Sequence, residues 1–441
     1  MNTRVLRVVR TVIRADSDPA RQILFANLME SQRVVRLVYA LHTSLRGTWA
    51  STALVSCYGL AALVTIAPAR NRRARVLVLA KHKNARRQAA RIVSWFGAAD
   101  CGWVRTGAKT LVSGSSLAGL VLCLSRRRVV STLRVVGAID RKYGFLVSCR
   151  AAGALAWYGR AMMILAAQRP QAILVSSDSN PEEVGFVAAA RELGIPRVFV
   201  SHAYPTPLSP PLDFSLSILE GEAALTARRR KGPISGEVML GGIEGDSAAL
   251  DPGRFRREAP VIGIFTPKAI AWPTLTAAIE DCRQHFAARQ VIIRWHPSML
   301  QTPHLAHVLS DCARIVESPR AASLEDVTRQ CDWVIADENS NVHLQVLKLG
   351  VPTVAVSGLG LYPKSHADQY GFVASGIVYP PVQSIREVEP AALAEFFSGA
   401  WPRRFQGYDA SYLRPQEAVA SEVREAILRL VEGGASKGLA T

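Results

Sequence analysis

The chain has 441 residues, of which 49% are hydrophobic, 20% charged and 7% aromatic; this is enough for two or three domains with real cores and excludes a disordered, collagenous or coiled-coil protein. The formal net charge of +18 is unevenly placed, because residues 1–150 carry 26 Lys+Arg against 5 Asp+Glu, a net +21, and the remainder sums to −3. A general bias toward arginine would raise charge throughout, so the first third calls for an anionic partner: a phospholipid surface, a polyanionic acceptor or nucleic acid.

At the start, Arg4, Arg7, Arg10 and Arg14 are threaded through Val, Leu and Ile, which reads as a basic amphipathic segment rather than a secretory signal. Gly47 to Ala69 is uncharged and long enough to span a bilayer. Its Thr and Ser content and its positive flanks at both ends fit a helix packed in a core, or lying in the lipid interface, at least as well. Residues 1–74 are therefore expected to form a basic helical extension. The seven cysteines show no C-x-x-C and no close His partner, so a reducing, cytosolic setting and no metal site are expected.

From residue 75 the pattern alternates apolar runs and amphipathic helices. Strands are expected at Arg75–Ala80, Ala172–Ser176, Arg197–Ser201, Phe214–Leu219 and Val238–Gly242, with helices at Asn84–Phe96 and Pro181–Leu193 and mostly helix over 110–169. Asp246–Pro260, rich in Asp, Pro, Gly and Arg, reads as a linker. A second series follows, with strands Val261–Phe265, Val291–Trp295, Arg314–Val316, Trp333–Ala336 and Thr353–Val356, and helices Thr274–Ala288, Leu324–Cys331 and Asn341–Leu349. The expected fold is α/β: two doubly wound, Rossmann-like domains facing a cleft, over 75–245 and 260–415, with a closing helix and tail in 416–441.

In such sheets ligands bind beyond the carboxyl ends of the strands. Four of these positions are polar: Ser176–Asn180, Ser201–Tyr204, His296–Pro297 and Asp337–Asn341. In the last, amide N–H groups with Asn339 and Ser340 could receive a phosphate, or Asn339 or Ser340 could simply cap a helix. Asp337 and Glu338 suit ribose hydroxyls or a base. His296 and Lys268 are candidate phosphate contacts. In the first series His202, Asp178 and Glu220 each follow a strand and are candidates for the base that takes an acceptor proton, His202 foremost. No D-x-D follows a strand, so no metal and no cofactor are implied.

Arg-Trp-His-Pro at 294–297, followed by Cys331–Val356 (CDWVIADENSNVHLQVLKLGVPTVAV), resembles the donor half of bacterial GT-B surface-polysaccharide transferases. The nearest patterns are those of the polysialyltransferases, the capsule Kdo transferases and the CDP-glycerol glycerophosphotransferases. These share an HP dipeptide and a serine pair opening a helix before a Leu-Gly-x-Pro turn; here the pair is Asn339 and Ser340. The resemblance implies a GT-B fold and a cytidine nucleotide donor held by His296 and the Ser340 region. It also implies transfer of a sugar or polyol phosphate to a lipid-linked or polymeric glycan. His202, in Ser-His-Ala, is similar in position to a histidine of the glycerophosphotransferases.

On this reading the basic first third holds the enzyme to the inner face of the cell membrane, through Arg70, Arg72, Arg73 and Arg75 and through Arg126, Arg127 and Arg128. A nucleic-acid binder would interleave aromatics with these clusters, which lie among aliphatics instead. The alternatives from other classes are a UDP-sugar-dependent GT-B transferase or epimerase, and a catalytically silent GT-B partner of a capsule assembly complex.

Overall fold

A computed structural model describes residues 11–12, 33–64, 74–104, 126–205, 209–243, 245, 247–297, 314–316, 322–361 and 368–437. The chain divides into two compact units: Met1–Leu219 with Leu225–Gly241 and Glu417–Thr441, and Glu220–Ala224 with Gly242–Gln416.

The first unit holds a six-stranded parallel sheet in the order β2-β1-β3-β4-β5-β6. Its strands are β1 (Val76–Leu79), β2 (Cys101–Trp103), β3 (Ala172–Val175), β4 (Arg197–Val200), β5 (Asp213–Leu219) and β6 (Ser235–Leu240). The central strands are buried on both faces, which is why they read as uninterrupted apolar runs. Helices α1 (Arg33–Ser44) and α2 (Trp49–Val64) precede the sheet, α3 (Lys83–Phe96) joins β1 to β2, and α4 (Arg126–Tyr143) and α5 (Phe145–Gln168) lead into β3. Then α6 (Pro181–Glu192) joins β3 to β4, and α7 (Glu222–Arg229) joins β5 to β6.

Where α6 crosses α5 the backbones nearly touch: a Cβ on Gly185 would lie 2.6 Å from the Ala154 carbonyl oxygen. The α2 stretch is a packed helix, with Ser51 and Val55 buried and Thr52 against Gly137 of α4. Among the described residues no helix is long and apolar enough to cross a membrane.

The second unit holds a five-stranded parallel sheet in the order β11-β10-β7-β8-β9. Its strands are β7 (Val261–Phe265), β8 (Gln290–Arg294), β9 (Arg314–Val316), β10 (Trp333–Asp337) and β11 (Thr353–Val356). Between them lie α8 (Trp272–Gln284), α9 (Leu324–Arg329) and α10 (Val342–Lys348). The stretch expected to be a linker is built into this unit: Phe255 is buried and its ring centroid lies 5.7 Å from both Trp333 and Phe397. Two further helices, α11 (Pro390–Phe396) and α12 (Trp401–Tyr408), close it. The last helix, α13 (Gln416–Lys437), returns to the first unit, where Val419, Val423, Ile427 and Val431 pack with Val76, Leu174, Val198 and Ile218. Two doubly wound parallel α/β sheets therefore make up the fold.

Candidate functional site

In the second unit the chain runs outward from β7 to β8 and β9, then returns to β10 on the other side of β7. This is the topological switch at which open parallel sheets hold ligands. Phe265 is level with Ala336 on one side and Arg294 on the other, so the segments beginning at Thr266, Asp337 and Trp295 leave the sheet side by side.

The His296 backbone N–H donates to Thr266 Oγ1 at 3.1 Å, and Thr266 N–H donates to the Arg294 carbonyl at 3.0 Å. Burial, with the positive charges of Lys268 and Arg294, holds the His296 imidazole below its ordinary pKa. Lys268 and Pro297 are exposed and His296 is half-buried. Arg294, which the sequence presents as one more strand residue, is buried and lies over the Phe265 ring, 5.7 Å from its centroid. Its Nε is shielded and has no hydrogen-bond partner among the described residues. Lys268 and Arg294, with the His296 imidazole near them, thus form a cationic corner suited to an anion.

The turn after β10 differs from the expected ring of amides open to a phosphate. Asn339 N–H is bonded to Asp337 Oδ1 at 3.0 Å, Ser340 N–H to the Asp337 carbonyl at 2.9 Å, and Val342 N–H to Ser340 Oγ at 3.3 Å. The physical reason is the buried Asp337, which orders the turn around itself. Its Oδ2 accepts from Gly360 N–H at 2.7 Å, and Gly360 bridges to Ile270 in the loop after β7. Burial raises the Asp337 pKa against these two bonds. Glu338 Oε2 accepts from Ser357 at 2.9 Å, and Asn339 Oδ1 is shielded without a partner among the described residues. Beneath the turn, His343 Nε2 lies 2.9 Å from the Asp337 carbonyl and Nδ1 2.7 Å from Thr353 Oγ1. A carbonyl only accepts, so Nε2 carries the proton and Nδ1 accepts from Thr353. Burial takes the His343 pKa down to about 4.

In the first unit the switch lies between β1 and β3. His202, after β4, bonds through Nδ1 to the Ser176 carbonyl at the end of β3. That contact puts the proton on Nδ1 and leaves Nε2 as the basic nitrogen. Burial lowers the His202 pKa; Ser176 and Asp178 oppose this, and His82 and Arg228 add to it. Asp178 forms an ion pair with the buried Arg228, whose guanidinium lies 5.3 Å from the Phe199 ring centroid. Glu220 belongs to the second unit, is buried, and accepts at its carbonyl from Ala410 N–H at 2.8 Å.

Sequence reasoning passed over Glu183 on α6. It is fully buried, and Oε1 accepts from Lys81 N–H at 3.2 Å, just past β1. Burial and the neighbouring Glu182 push its pKa up to about 8. Two acids in a first helical turn look like ordinary helix-start residues, and only the sheet contact sets this one apart.

Of the arginines expected to meet a membrane, Arg75 donates through Nε to Gln171 Oε1 at 2.8 Å. Arg70, Arg72 and Arg73 lie outside the described residues, as do the side chains of Arg126, Arg127 and Arg128.

No protein-family model and no curated protein matches the chain. Among solved structures, it is similar to UDP-GlcNAc 2-epimerase from Neisseria meningitidis, at 11% identity over 80% of this chain and 99% of that one, with a TM-score of 0.41. The epimerase of Methanocaldococcus jannaschii gives 10% identity over 80% and 99%, with a TM-score of 0.46. Phytolacca americana UGT2 gives 11% over 83% and 100%, with a TM-score of 0.41. At these values the similarities assign neither a reaction nor a ligand.

Proposed function

We propose that this protein is a nucleotide-dependent transferase of bacterial capsule or cell-surface polysaccharide synthesis. It moves a sugar or polyol phosphate from a cytidine nucleotide to a lipid-linked or polymeric glycan at the inner face of the membrane. The observation that carries this reading is the cationic corner of Lys268 and Arg294 with His296, tied to Thr266, at the switch of the second sheet. The resemblance of the flanking sequence to HP-containing transferases gives the corner its donor class.

In the proposed reaction His202 Nε2 takes the proton of the acceptor hydroxyl as its oxygen bonds to the transferred group. The bond from that group to the nucleotide phosphate breaks with its electron pair. The cationic corner stabilises the charge left on the departing nucleotide. Asp178 holds Arg228 and adds negative potential near His202, which favours the imidazolium formed in that step.

The test is calorimetric binding of CMP, CDP and UDP to the full chain and to His296→Ala. Preferential binding of a cytidine nucleotide, lost in the variant, supports the proposal. Preference for UDP replaces the donor class, and binding of none of the three removes the transferase reading.

A further inference from the structure

Helix α1 carries apolar residues on two faces, and among the described residues only the inner one is packed. On the inner face Val38 and Tyr39 pack against the α4–α5 layer. His42 Nε2 is paired with Asp140 Oδ1 at 2.8 Å, and both residues are buried. The same carboxylate accepts from Ser51 of α2 and Ser148 of α5, each at 3.0 Å. This network fixes the rotation of α1 about its axis. Leu37 and Leu41, one turn apart on the other side, cannot be turned inward.

They are 70% and 48% exposed, and Trp49, where the chain turns into α2, is 78% exposed. Seven large apolar side chains are exposed among the described residues, and three of them fall within these 13 positions. Single exposed leucines are ordinary; a helix locked by its inner face with Leu on its outer face is not. Arg33, Arg36 and Arg46 of the same segment are exposed, and no acidic residue occurs between Glu30 and Asp100.

We infer that the outer face of α1, with the corner at Trp49, is the surface by which this protein docks on an anionic phospholipid bilayer. Leu37, Leu41 and Trp49 enter the headgroup and upper acyl region, and the arginines pair with lipid phosphates. Exposed leucines and a tryptophan, in one short segment that carries exposed arginines and no acids, match a lipid interface in both apolarity and charge. A nucleic acid would meet the charge and leave the leucines unused. The inference rests on the membrane part of the proposed function and adds a defined apolar contact to it.

The experiment is flotation of the full chain with phosphatidylcholine vesicles, with and without phosphatidylglycerol, for the wild type and for Leu37→Ser/Leu41→Ser/Trp49→Ser. The expected result is binding to the anionic vesicles that falls about tenfold or more in the variant. Equal binding by the variant overturns the inference and leaves an arginine-only attachment. Absence of wild-type binding overturns it together with the membrane part of the proposed function, while nucleotide binding remains its own readout. Should the triple variant fail to fold, quenching of the wild-type tryptophan signal by lipids with brominated chains is compared with that of Trp49→Phe. Quenching lost in Trp49→Phe supports the inference, and unchanged quenching overturns it.

Discussion

The His296 main chain donates to the Thr266 hydroxyl at 3.1 Å, so the turns after β8 and β7 are tied together next to the buried Arg294 at the end of β8. Burial, and after it the charges of Lys268 and Arg294, depress the His296 pKa, and the negative charge of a bound phosphate is expected to raise it. Nucleotide binding is then expected to take up a proton and to strengthen as pH falls toward the pKa of the free protein, levelling off below it. Calorimetry in buffers of different ionisation enthalpy measures this uptake. Arg294→Gln is expected to weaken binding by about tenfold, the scale of one charge-assisted hydrogen bond.

His202 and Asp178 are separable by what their loss changes. His202→Gln should leave the thermal midpoint and nucleotide binding nearly unchanged and reduce turnover by about 10²–10⁴-fold. Asp178→Ala should leave the buried Arg228 guanidinium without its carboxylate, with only the Pro210 carbonyl and the Phe199 ring beside it, and cost about 3 kcal/mol of stability. Urea unfolding and transfer assays on both variants check the pair; an unchanged midpoint in Asp178→Ala would count against the structural role.

Glu183 is protonated in the folded state up to about pH 8, whereas in the unfolded chain it ionises near its ordinary value of about 4.3. Its contribution to stability is fully present below that ordinary value and is lost as pH rises toward 8. Glu183→Gln should remove the decline and be more stable than the wild type at pH 8. Thermal midpoints across this range measure it.

For His343 the sign is opposite. The folded pKa of about 4 lies below the ordinary value of about 6.5, so the unfolded chain binds the proton first. Stability should be level above that value and fall by about 3 kcal/mol between there and pH 4. His343→Gln should lose this slope while costing about 1–3 kcal/mol at neutral pH, through the broken link between Asp337 and Thr353. Denaturant titrations at both pH values distinguish the two effects.

The apolar runs around Ile173, Val198, Ile262 and Val334 were legible because strands buried on both faces leave no place for polar residues. Cys101–Trp103 was not: it is three half-buried residues at a sheet edge, too short for a period to show. The helices opening at Pro390 and Trp401 carry an early proline but little repeat beyond it. In the site, His296 and Lys268 stand out as polar residues after strands. Arg294 is hidden because strand position alone does not show a buried cation acting on a histidine. Asp337 announces a carboxylate, and only the fold shows both its oxygens turned to the main chain of Asn339 and Gly360.

Helix α13 supplies Val419, Val423, Ala426, Ile427 and Val431 to a core whose strands begin at Val76. During synthesis the second unit is complete in sequence once Gln416 has been made. The first sheet, although translated earlier, waits for the last stretch of chain before its apolar face is covered. The order of completion is therefore the reverse of the order of translation, and chains truncated before about residue 416 should expose that face and be captured by chaperones or degraded.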